Sequence, residues 1–93
     1  MDHTATAEIS TAKASGYLQQ ICKHFGHKIE VEFDTRIGKI AFPFGRAELE
    51  AEQDALALNA SADNEEDLEK LKQVLSSHLE RFAFRESLEI IWN

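Results

Sequence analysis

Two short stretches hold the residues that could do chemistry. Cys22-Lys23-His24-Phe25-Gly26-His27-Lys28 contains the single cysteine and two of the four histidines of the chain. Thiolate and imidazole ligate zinc, and imidazole also suits iron or copper, so Cys22, His24 and His27 raise the question of a metal. Their spacing opposes it. Residues two apart on a helix point roughly 200° away from each other, so Cys22 and His24 share an ion only if the last turn unwinds. His24 and His27 are the weak metal candidates that remain, and they converge only through a break at Gly26. The competing reading is structural, with Cys22 as a small core residue and both histidines capping a helix C-terminus, where donor side chains meet free carbonyls.

The second stretch centres on His78, which falls among Leu75, Leu79 and Phe82, where a polar ring needs a partner. Three readings compete: a satisfied core histidine, a histidine lining a pocket between helix and sheet, and a general base. A base needs an oriented ring and a substrate group within hydrogen-bond reach, and the sequence shows neither. Ser76 and Ser77 face away from their neighbour His78 on a helix, so no serine nucleophile is implied. Glu80, Arg81, Arg85 and Glu86 offer ion pairs of the kind that contribute little at a surface. Phosphate-binding glycine loops, paired cysteines and hydrolase metal motifs are absent, and nothing marks an enzyme.

The elements that carry these residues follow from hydrophobic period. Ala5, Ala7 and Ile9 alternate with polar residues as in a half-buried strand. Ser10 or Thr11 suits an N-cap, after which Ala14, Tyr17, Leu18, Ile21, Cys22 and Phe25 recur at helical spacing until Gly26. Ile29, Val31 and Phe33 make the cleanest strand pattern, followed by an Asp34-Thr35-Arg36 turn. Ile40, Phe42 and Phe44 share a face, with Pro43 marking either an edge strand or a strand end. Ala47, Leu49 and Ala51, then Leu56, Leu58 and Ala60 after a turn at Glu52-Gln53-Asp54, complete a meander. Asp63 and Glu66 have the form of a capping box. Leu68, Leu71, Leu75, His78, Leu79 and Phe82 form the stripe of a second helix, with Glu66 and Lys70 paired outside it. Leu88, Ile90 and Trp92 read as a closing strand.

The expected fold is therefore α+β in two layers, an antiparallel sheet in the order β-α-β-β-β-β-α-β with both helices on one face. Residues 1–93 make a single domain. The other sheet face carries Glu8, Glu30, Glu32, Glu48, Glu50 and Glu89 with Lys39 and Arg46 among them. It is a solvated surface or, on a sharper reading, a site for a basic partner.

Composition narrows the function classes. A net charge of −7 repels phosphate backbones and anionic membrane surfaces. Nucleic acid and membrane are not expected partners, no apolar run approaches the roughly 20 residues of a span, and no secretion signal opens the chain. Cytoplasmic residence is the expectation. A lone cysteine leaves stability to packing, and at this size a homodimer is a natural supplement.

Taken together, Cys22 to Lys28, Val31-Glu32-Phe33-Asp34, Ile40-Ala41-Phe42-Pro43-Phe44-Gly45 and His78-Leu79-Glu80-Arg81-Phe82-Ala83-Phe84-Arg85 resemble the bacterial family called domain of unknown function 2218. That resemblance covers essentially the whole chain. It implies company with siderophore-interacting flavoproteins, and so an accessory part in iron acquisition, without implying an activity or a cofactor. The matching polar residues are Lys23, His24, His27, His78, Glu80, Arg81 and Arg85. They lie at helix ends that would meet at one edge if both helices share a sheet face, where an anionic or iron-chelate ligand would find Lys23, Arg81 and Arg85 useful. The leading expectation is a ligand-binding or accessory module. A ligand-free homodimeric scaffold or regulatory protein, and a small enzyme using His78 or His24 as acid or base, are the alternatives.

Overall fold

The computed structural model describes residues 2–93. Its order is β1 (His3–Ser10), α1 (Ala14–Gly26), β2 (Glu30–Phe33), β3 (Ile37–Phe42), β4 (Gly45–Ala51), β5 (Ala55–Ala62) and α2 (Glu65–Phe82). The strands form one antiparallel sheet in the spatial order β1-β5-β4-β3-β2. β2 to β5 are the expected meander, and β1 closes against the last of them, so α1 carries the chain from one edge of the sheet to the other.

Period-two burial sets which face is covered. Ala5, Ala7 and Ile9 of β1, Ile40 and Phe42 of β3, Ala47, Leu49 and Ala51 of β4, and Leu56, Leu58, Ala60 and Ala62 of β5 are all buried. Both helices pack on this face, α1 over β2 to β5 and α2 over β1, β4 and β5. Leu71, Leu75 and Leu79 of α2 are fully buried, as are Leu18 and Ile21 of α1. Each such side chain contributes about 1.5–3 kcal/mol of apolar burial. Close approach of α1 depends on Gly38 of β3, where a Cβ would stand 2.7 Å from Cys22 Sγ. That contact explains Cys22: its thiol is wholly buried, and loss of water pushes its pKa up to about 11, so it is a core group.

The opposite face is the polar one. Cross-strand register sets Glu32, Lys39, Glu48, Asn59 and Thr6 in one row, with Arg46 between Ala41 and Ser61 in the next. Glu8, Glu30, Glu32, Glu48 and Glu50 are exposed there, as expected, with Lys39 and Arg46 among them.

Several local expectations need correction. The residue capping α1 is Lys13, without a side-chain cap, while Thr11 turns inward and accepts the Lys13 N–H at 3.1 Å. The cap of α2 is Asn64, one residue later than the Asp63 expectation. Its Oδ1 accepts from Asp67 N at 2.8 Å, and its Nδ2 donates to Asp67 Oδ2 at 3.1 Å, so the cap is reinforced side chain to side chain rather than by the backbone bond of a capping box. The ion pair on α2 joins Lys72 to Glu69 at 2.7 Å, whereas Lys70 lies 4.7 Å over the Phe44 ring.

The largest difference is at the C-terminus, where Leu88 to Trp92 make no strand. The alternation itself is real, since Leu88, Ile90 and Trp92 pack against the core while Glu89 and Ile91 are exposed. Trp92 Nε1 donates to Ser76 Oγ on α2 at 2.9 Å, and Asn93 N donates to Thr6 O on β1 at 2.8 Å. Held by an indole on a helix and a single backbone bond to the sheet, the segment buries its apolar side without a ladder. Glu89 accordingly stands outside the sheet face assigned to it.

Candidate functional site

Where α1 ends against the last turns of α2, five rings gather. The His24 and His78 centroids are 5.0 Å apart, with Phe25 4.9 Å from each and Phe82 at 5.7 and 6.1 Å. Phe42 of β3 supports the group from below, 4.9 Å from Phe25. These separations are ordinary for edge and tilted aromatic packing. His78 is half-buried, and its Nδ1 lies 2.7 Å from the Val74 carbonyl oxygen one turn earlier. A carbonyl can only accept, so Nδ1 carries the hydrogen and Nε2 of the neutral ring is left with a free lone pair.

His24 is exposed as a residue, yet its ring lies against Phe25, His78 and Phe82. Its pKa falls below the usual imidazole value. Partial loss of water on that contact is the main cause, and His78, Lys28, Arg81 and His27 reinforce it by repulsion. Among the described residues none of His24, His27, Lys28 and Arg81 forms a salt bridge. Helix geometry explains why cations collect here, since Lys23 and His24 occupy the last turn of α1 and Arg81 that of α2, beside unpaired carbonyls.

Of the residues singled out by sequence, His24, His27, His78 and Arg81 are brought together. Lys23 sits in the same last turn of α1, exposed. Glu80 is exposed on α2, and Arg85, past its end, lies 5.4 Å from the Phe84 ring. His27 occupies the C-cap position of α1, but the cap bond is its backbone N–H to Phe25 O, so neither the His24 nor the His27 ring caps the helix as expected. No group of three or more metal-ligating side chains converges among the described residues. Ser76 Oγ receives the Trp92 indole N–H, and Ser77 Oγ donates to Val74 O at 3.2 Å. Lys28 was not among the expected site residues. It was visible only as the cation closing the Cys22 to Lys28 stretch.

A second polar cluster escaped the sequence altogether. Beyond α2, the Glu86 carboxylate receives the Tyr17 hydroxyl and the Thr11 hydroxyl, the latter at 3.2 and 3.3 Å to its two oxygens. Burial pushes the Tyr17 phenol up to about 12, helped by its hydrogen bond to Glu86 and by that residue's charge. The phenol therefore remains a donor throughout the ordinary pH range.

Comparison with known proteins adds a family to this geometry. A model of the DUF2218 family, described as an uncharacterized protein conserved in bacteria, matches residues 6–93. The chain belongs to this family. The fold of this DUF2218 domain is also similar to the NMR structure of PA4090 from Pseudomonas aeruginosa, with a TM-score of 0.83 and 37% sequence identity over 97% of this chain and 94% of that one. No curated protein matches the chain. The resemblance drawn from Cys22–Lys28, Val31–Asp34, Ile40–Gly45 and His78–Arg85 is thus shown. The DUF2218 match brings no assigned activity, so the arrangement of His24, His78, Lys28 and Arg81 must carry the functional argument.

Proposed function

We propose that this DUF2218 domain is a small, non-catalytic binding module whose ligand is an anion seated where α1 ends against α2. One observation carries the reading: His24 is faced by His78, Lys28, Arg81 and His27 with no carboxylate among them, in a chain whose net charge is −7. A local excess of unpaired cations favours an external anion, and Arg81 is the group best built to hold a carboxylate or phenolate in two places. Phe25 and Phe82 beside the imidazoles suit a ligand with an aromatic body.

The association implied by the family resemblance refines this to an anionic iron chelate, with the domain an accessory of cytoplasmic iron acquisition and a siderophore-interacting flavoprotein its partner. The test is an NMR titration of the labelled domain with 2,3-dihydroxybenzoate and with its gallium(III) complex, a diamagnetic substitute for the ferric one. The expected result is a set of shift changes centred on His24, Phe25, Lys28, His78 and Arg81, with affinity about tenfold weaker in Arg81→Ala, the size of one charge-assisted hydrogen bond. Absence of shifts at these residues for either probe overturns the proposal and leaves the ligand-free scaffold.

A further inference from the structure

We infer that His24 and His78 form a proton-linked clamp, in which an entering anion is bound together with a proton and is released as the pH rises. The inference rests on the anion-binding reading above and adds its regulation. Geometry supplies the reason. The two imidazoles are 5.0 Å apart, so a charge on one opposes a charge on the other, and an anion placed beside both removes that opposition.

The surroundings point the same way from each packed element. The end of α1 contributes His27 and Lys28, and α2 contributes Arg81 and His78 itself. From the sheet, Phe42 reaches the cluster through Phe25 and brings no charge. All four charged or titratable groups acting on His24 are basic, so the empty site resists an added proton and the anion-filled site accepts one. His78 takes part through Nε2, because its Nδ1–H is engaged by Val74 O and fixes the ring. Protonation at Nε2 turns a lone pair into a second donor aimed away from its own helix backbone. The ligand class is thus a small carboxylate or other anion able to accept from the imidazolium N–H that the bound proton creates and from Arg81, with a planar apolar body against Phe25 or Phe82.

Benzoate serves as the probe, because its carboxyl stays ionised across about pH 6 to 8 and so adds no proton of its own. NMR titrations of the full chain at several pH values, with calorimetry in buffers of different protonation enthalpy, read the linkage directly. Uptake of one proton tightens binding by up to about tenfold per pH unit lowered, and the expected change between pH 8 and pH 6 is about tenfold or more. His24→Gln, at an exposed position, should flatten this dependence, whatever its effect on the affinity at any one pH. His78→Asn is the second variant and should reduce it in part. Binding of benzoate at this site with no pH dependence, or equal dependence in His24→Gln, overturns the clamp and leaves the anion site standing. No binding even at pH 6 overturns both.

Discussion

Two polar clusters flank α1, and they are built on opposite terms. Near its start, Tyr17 and Thr11 converge on Glu86, so two donors meet a carboxylate that the chain supplies itself. Near its end, His24 is faced by His78, Lys28, Arg81 and His27, and among the described residues no carboxylate pairs with them. The first cluster is complete and fastens the segment after α2 onto the start of α1. The second is the half-site of the proposed anion. A cluster that contains its own counter-charge has a structural job, whereas one without it costs stability through repulsion, a cost that the proposed anion would relieve.

The contrast can be broken by exchanging what each cluster has. Glu86→Ala strands the Tyr17 and Thr11 hydroxyls beside the core, and urea unfolding should show a loss of about 2–3 kcal/mol, with Tyr17→Phe losing about half as much. Arg81→Ala and Lys28→Ala should leave stability within about 0.5 kcal/mol or raise it. Equal losses at both ends would refute the distinction.

Arg81→Glu gives the second cluster the carboxylate it lacks. The His24 ring should then titrate at higher pH by NMR than in the unaltered protein, and anion binding should vanish while the fold persists. An unchanged His24 titration would mean that its surroundings are not set by charge.

The two clusters should also fail at opposite ends of the pH scale. Tyr17 holds its proton more tightly folded than unfolded, so its contribution is complete below pH 10 and is lost as pH rises from there through about 12. His24 is the reverse: the folded state binds its proton less readily, so stability declines as pH falls through the unfolded value of about 6.5. Stability measured against pH in Tyr17→Phe and His24→Gln should lose the alkaline and acidic slopes respectively. The smallest effect is expected at Asp34, whose carboxylate is held below its usual range by the Ile37 and Arg36 N–H groups in the β2–β3 turn. In Asp34→Asn the acid sensitivity of that turn, read by amide exchange, should disappear.

Much of this architecture was legible because burial writes itself into sequence as a period. Leu68, Leu71, Leu75 and Leu79 recur as a helix face, and Ala47, Leu49 and Ala51 as a strand face, whatever they eventually touch. The same alternation misled at Leu88, Ile90 and Trp92, where every second residue is indeed inward. A period reports which side is buried and is silent on whether neighbouring backbone groups pair. Here a Trp92 bond to Ser76 and a single bond to Thr6 stand in place of a ladder.

The candidate site divides along the same line. His24, His27 and the cationic helix ends were evident from local spacing, and the meeting of the two helix ends followed once both were placed on one sheet face. That His24 lands 5.0 Å from His78, with Lys28 in reach, was settled by packing. Tyr17 and Glu86, 69 residues apart, show the limit most clearly. Tyr17 had the pattern of a core residue and Glu86 that of a surface charge. Sequence alone determined which residues are inward and which elements they form, because those depend on neighbours a few positions away. Only the tertiary structure decided which polar groups are matched internally and which are not, because matching depends on side chains brought together across the chain.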